Sequence, residues 1–116
     1  MIKGDTITVE DSDAKERAFN DCEESEVQKY LKEYLTSTTL SCFTTPAAYE
    51  PWKEMKCSYI FCTKDNAIPL VAQQFMASQF GEKAKTATLE AGHCPHLSMP
   101  EEVVKQVKLI IEGAST

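Results

Sequence analysis

Residues 57–81, CSYIFCTKDNAIPLVAQQFMASQFG, decide the fold of this chain. The stretch opens with an unbroken run of apolar and β-favouring side chains, Cys57 to Cys62. A strand half exposed to water alternates; a continuous run suits a strand covered on both faces of a parallel sheet. A polar loop then runs to Pro69, which fits the first turn of a helix over residues 70–80. That helix is expected to turn Ala72, Phe75, Met76 and Gln79 inward and to stop at Gly81. Residues 84–89, AKTATL, alternate polar with apolar and read as a second strand, nearer the sheet edge. Strand, loop, helix and strand in that order imply two parallel strands joined by a right-handed crossover.

Working outward, the second strand leads into a loop, AGHCPHLSMP (91–100), and a closing helix from about Pro100 to Glu112. Ser98 and Glu101 have capping-box spacing, and Val103, Val104, Val107, Ile110 and Ile111 form one stripe. Upstream, residues 1–20 are polar and acidic, with a short helix expected around 12–19. Asp21 and Glu24 again have capping-box spacing, and Val27, Tyr30, Leu31, Tyr34 and Leu35 recur at the helical period. A Ser/Thr-rich connector, TSTTLSCFTTPAAYEPW (36–52), is broken by Pro46 and Pro51. The fold class is α/β, divided into a helical segment, residues 1–50, and a β-α-β-α part, residues 51–116.

The whole is 116 residues long and 42% hydrophobic, enough for one modest core. The net charge of −6 and the absence of any basic run argue against a nucleic-acid partner. No window of about eighteen apolar residues and no hydrophobic signal core at the N-terminus is found, so neither a membrane span nor a secretory leader is expected. Five scattered cysteines, an odd number, favour reduced thiols and a cytoplasmic location.

Two sets of residues could carry chemistry. Cys57, Cys62, His93, Cys94 and His96 resemble a soft metal-ligand set. Strand geometry opposes this, because Cys57 and Cys62 would lie roughly 16 Å apart on opposite faces. The cysteines are better read as small buried hydrophobes, and neither a metal nor another cofactor is expected. The second set is Asp65 and His93, each a few residues past the end of an expected strand. In a parallel α/β sheet such loops meet on one rim, where a carboxylate can hold one imidazole nitrogen and leave the other as a base. Taken singly, an aspartate after a strand is more often a loop hydrogen-bonder, and a lone histidine in a Gly/Pro loop fares no better. The pair carries the argument.

Residues 59–76, YIFCTKDNAIPLVAQQFM, and 89–103, LEAGHCPHLSMPEEV, resemble the C-terminal part of an α/β-hydrolase, in particular the small esterase and methylesterase-like branch of fungi and plants. The resemblance covers residues 46–112 well and, more weakly, residues 5–45, which are similar to the helical cap such enzymes place over the active site. It implies a partial α/β-hydrolase fold: a cap (lid) segment, two parallel strands with a crossover, and C-terminal helices. It implies that Asp65 is the catalytic acid and His93 the base, with Cys94 and His96 as packing. Phe43, Tyr49 and Trp52 become candidates for the substrate pocket, and a small carboxylic ester the candidate substrate. Cys94 follows the histidine where related hydroxynitrile lyases carry lysine, which leans toward ester hydrolysis.

A serine hydrolase also needs a G-x-S-x-G nucleophile elbow and oxyanion-hole donors. The glycines are Gly4, Gly81, Gly92 and Gly113, and no two of them bracket a serine. The expectation is therefore the C-terminal portion of a hydrolase whose serine comes from elsewhere, from a complementing N-terminal half or a homo-oligomer. The alternative is a non-catalytic remnant that acts by association through an exposed sheet edge and Tyr30, Tyr34, Phe43 and Trp52.

Overall fold

The computed structural model of the chain describes residues 1–113. It begins with elements that the sequence does not announce. Strands β1 (Ile2–Lys3) and β2 (Thr6–Ile7) form an antiparallel hairpin. Gly4, at φ 63°, takes the first loop position, which a type II′ turn reserves for glycine. β3 (Thr38–Thr39) pairs with the other side of β2. Strands of two residues are too short to show any alternation, so periodicity cannot find them.

Between β2 and β3 lie α1 (Asp11–Asp13), which widens into a π-turn at Ala14–Ala18, and α2 (Glu24–Glu33). α2 buries Val27 and half-buries Tyr30 and Leu31, as its stripe requires; past its end Tyr34 is exposed and Leu35 half-buried. Its N-terminus differs from expectation. Glu23 occupies the cap position without a side-chain bond, and Asp21 is engaged elsewhere. The connector holds α3 (Ser41–Thr44) and one 3₁₀ turn at Pro51–Lys53.

The β-α-β unit follows. β4 (Ser58–Cys62) and β5 (Lys85–Leu89) are parallel, in register from Ser58 opposite Lys85 to Cys62 opposite Leu89. α4 (Leu70–Ser78) joins them, and α5 (Pro95–Ser98) and α6 (Pro100–Ile111) complete the described chain. α5 is a single turn, started by Pro95, where the sequence suggested only loop. The core around the ends of the two strands comprises Cys62, Leu89 and Ala91, with Ile60, Met99 and Val103 packed against it.

α4 corrects its expected inward face. Gln73 and Ala77 are buried, whereas Phe75 is 70% exposed and Met76 and Gln79 are also exposed. The reason is a polar one. Gln73 Oε1 accepts from Cys62 N at 2.8 Å, and Gln73 Nε2 donates to Cys62 O at 2.9 Å and to Ile68 O at 2.8 Å. Thr63 N–H continues the ladder to Leu89 O, so by strand alternation the Cys62 groups face away from β5. Gln73 thus stands in for a neighbouring strand at that point, and its three bonds make burial of the amide worthwhile. On α6, likewise, Val103 and Ile110 are half-buried, but Val104, Val107 and Ile111 face out.

These faces make the molecule open. Its radius of gyration is 16.1 Å, against about 13 Å for a compact domain of this length. Its accessible surface is 8545 Å², against about 6,300 Å² for a globular monomer of this mass. Among the described residues β4 pairs with β5 only, and no helix is long and apolar enough to cross a membrane.

Candidate active site

The parallel register places the loops after β4 and β5 side by side, and backbone bonds lock them together. Thr63 N–H bonds Leu89 O at 3.0 Å, and Lys64 N–H bonds Ala91 O at 2.9 Å. From the first loop, Asp65 folds back over its own backbone. Its Oδ1 accepts from Ala67 N at 2.8 Å and from Ile68 N at 2.9 Å, an Asx-type turn that fixes the side chain. Its other oxygen, Oδ2, lies 3.0 Å from His93 Nδ1. The carboxylate is 6% exposed and the imidazole 34%, so the acid is covered while the histidine reaches solvent.

Burial is the largest single influence on Asp65 and pushes its pKa up. The Ile68 N–H, the His93 ring and the Ala67 N–H together outweigh it and hold the carboxyl below the usual aspartate range. An ionised Asp65 only accepts, so the hydrogen on the 3.0 Å bond belongs to Nδ1. In neutral imidazole that leaves Nε2 with a free lone pair.

The second loop is held from across the chain. Asp21 Oδ2 accepts from Gly92 N at 2.8 Å and from Ser98 Oγ at 2.8 Å. Asp21 and Ser98, both read from sequence as helix caps, instead bond each other. Asn20 Nδ2 donates to Lys64 O at 2.7 Å, and Asn66 Nδ2 donates to Glu16 O at 3.0 Å. Gly92 owes its identity to this approach and not, as its loop position suggests, to a tight turn. Its φ is not positive, but a Cβ there would collide with Asn20 Oδ1 and lie 2.6 Å from Asp21 Oδ1.

The structure brings Asp65 and His93 together and, of the expected pocket residues, sets Trp52 apart from them. Trp52 meets Phe80 in a tilted pair with ring centroids 6.1 Å apart, and Phe80 in turn meets Tyr59 at 6.4 Å. Trp52 lines a cleft with Cys57 and Ala84, which precede the two strands, so it belongs to the opposite end of the sheet from His93. Phe43 is exposed, and Tyr49 is an exposed side chain bonded to Glu54 at 2.8 Å. His96, expected to pack, is exposed on α5. A different apolar recess, about 300 Å³, is lined by Phe19, Tyr30, Tyr34, Leu35 and Leu97. The α2 stripe contained its tyrosines, but only the tertiary fold brings Leu97, one turn past His93, against them.

Neighbouring thiols offer no competing nucleophile. Burial first, then Asp21 and Asp65, raise the Cys94 pKa. Burial, followed by Asp21, Cys94 and Glu26, pushes Cys22 up to about 11. A thiol so raised stays protonated and weakly reactive at neutral pH. All five cysteines are free. Among the described residues no group of three or more His, Cys, Asp or Glu is placed to hold a metal ion.

Comparison with known proteins gives the class. The pattern described as "Alpha/beta hydrolase family" matches residues 7–106, and the chain belongs to that family. Alpha/beta hydrolase nvfD of Aspergillus novofumigatus is 29% identical over 104 residues, which are 89% of this chain and 41% of that protein. Probable hydrolase R7 of a Phoma species is 34% identical over 65 residues, 53% of this chain and 27% of that protein. The crystal structure of polyneuridine aldehyde esterase superposes with a TM-score of 0.77 at 18% identity, over 91% of this chain and 43% of that one. The chain therefore spans less than half the length of the relatives it matches, and its architecture is part of the α/β-hydrolase fold.

Proposed function

We propose that this chain supplies the acid and the base of a Ser-His-Asp hydrolase acting on a small carboxylic ester. The observation that carries the reading is the 3.0 Å contact between Asp65 Oδ2 and His93 Nδ1, made by a carboxylate whose other oxygen is occupied by two backbone N–H groups. Asp65 holds the imidazole in one tautomer and orientation. Nε2 then takes the proton of an attacking serine hydroxyl and returns it to the departing alkoxide, while the ionised Asp65 stabilises the imidazolium between the two steps. The serine and its oxyanion donors come from a complementing N-terminal half of the fold, since no serine here is bracketed by glycines. The ester substrate rests on the family and on the esterase among the similar structures. The free thiols fit a reducing, cytoplasmic setting.

A fluorophosphonate probe, which labels activated serines, tests this. The chain alone is expected to stay unlabelled. Mixed with the amino-terminal portion of a related hydrolase that carries a G-x-S-x-G elbow, it is expected to restore labelling on that serine. Restoration that persists with His93→Ala refutes the role given to the histidine.

A second reading, a non-catalytic remnant that acts by association, is favoured by a separate observation. Val71, Phe75 and Ile111 are 72%, 70% and 77% exposed, and the outer edge of β4 has no strand partner among the described residues. Complexes that form while labelling is never restored support that reading.

A further inference from the structure

We infer that Asn20 and Asp21 form a positioning clamp that sets His93 against Asp65; the inference rests on the acid–base reading of those two residues. Asp21 is the only described side chain that bonds both ends of the histidine-bearing loop. Its Oδ2 takes the N–H of Gly92, immediately before His93, and the hydroxyl of Ser98, at the end of α5. One residue earlier, Asn20 bonds the carbonyl of Lys64, immediately before Asp65. Two consecutive residues thus tie down the backbone next to each member of the acid–base pair. They do so from a segment more than forty positions away in sequence.

Three further details fit a clamp better than incidental packing. Asp21 forgoes the capping role its spacing with Glu24 offers, and α2 begins without any side-chain cap. Asp21 Oδ1 is buried with no partner, an arrangement that costs free energy, while Oδ2 makes two bonds. Gly92 has no backbone need for glycine, yet any side chain there would strike Asn20 and Asp21. The clamp and the glycine are one device: the dipeptide closes on the loop because the loop leaves room for it. Asn66, bonded to Glu16 O, fastens the same segment a second time. Asp21 touches neither the imidazole nor any reacting atom, so its role is positioning and not catalysis.

The test uses the full chain and its two histidines, with exposed His96 as internal reference. Two NMR readouts are followed: the downfield Nδ1 proton of His93, and the shift in the His93 ring-nitrogen resonances that Asp65→Asn produces. Asp21→Ala is expected to abolish the downfield signal and to cut the Asp65→Asn shift to less than half, leaving His96 unchanged. Asp21→Asn, which keeps an acceptor oxygen for Gly92 and Ser98, is expected to rescue most of both. Gly92→Ala, which displaces the clamp without deleting any of its atoms, is expected to reproduce Asp21→Ala. Should Asp21→Ala fail to fold, the Gly92→Ala and Asp21→Asn results decide the matter. A full Asp65→Asn shift surviving in either Asp21→Ala or Gly92→Ala, or an Asp21→Asn chain as impaired as Asp21→Ala, overturns the clamp. An otherwise unaltered chain in which Asp65→Asn moves nothing overturns the acid–base reading and the clamp with it.

Discussion

Replacing Gln73 with leucine removes the one buried side chain that serves both backbone groups of Cys62. Gln73 is 1% exposed and makes three bonds, two to Cys62 and one to Ile68 O. Leucine of similar volume leaves Cys62 N–H and C=O buried and unpaired, at about 2 kcal/mol each, and loses a part-buried bond to Ile68 worth about 1 kcal/mol. Burial of the leucine side chain returns about 2 kcal/mol. The net expectation is a loss of about 3 kcal/mol, a large part of the roughly 5–15 kcal/mol a whole domain possesses. Urea denaturation followed by circular dichroism measures it, and amide exchange at Cys62 should accelerate in parallel. Because Gln73 also spans the loop that carries Asp65, the Asp65→Asn shift at His93 should shrink. A Gln73→Leu chain within about 0.5 kcal/mol of wild type would falsify the account, since substitutions remote from any such feature fall in that range.

Two further outcomes are expected. The folded-state pKa of Asp65 is depressed, so its contribution to stability is present above the unfolded aspartate value of about 3.9 and is lost as pH falls through the folded value. The stability gap between wild type and Asp65→Asn should therefore stay level as pH drops toward 4 and close below it; urea midpoints that converge already near neutrality contradict the depressed value. Phe75→Glu and Val71→Lys place charge on the open face of α4, and light scattering should then show less self-association with unchanged helix content. Unaltered association shows that this face takes no part in it.

The β-α-β-α half was legible because its signals are local and repeated. The unbroken run before Asp65, the alternation of AKTATL and the prolines at the starts of α4 and α6 each act within one element, and the strands came out parallel. The meeting of Asp65 and His93 was legible for the same reason, since parallel neighbours deliver their following loops to one rim. The hairpin strands were not legible, being two residues each, and Trp52 stands apart from the Asp65–His93 rim because of its place along the sheet. Trp52 lies before β4 and so at the wrong end of the strands to join a rim formed after them.

The sequence by itself determined the class of fold, the order of its last four large elements, and which aspartate and histidine would meet. Tertiary structure alone decided which polar side chains serve which backbone. Capping boxes read at Asp21 and Ser98 describe what each residue can do with its neighbours, yet the two lie 77 positions apart and satisfy one another. Gln73 was not among the residues expected to turn inward, and only the folded chain sets the otherwise unpaired groups of Cys62 beside it. At Gly92 the absent side chain leaves clearance for Asn20 and Asp21, which lie far from it in sequence. Local pattern records what a residue prefers, whereas hydrogen-bond satisfaction in a buried site depends on partners that only the folded chain brings within 3 Å or so.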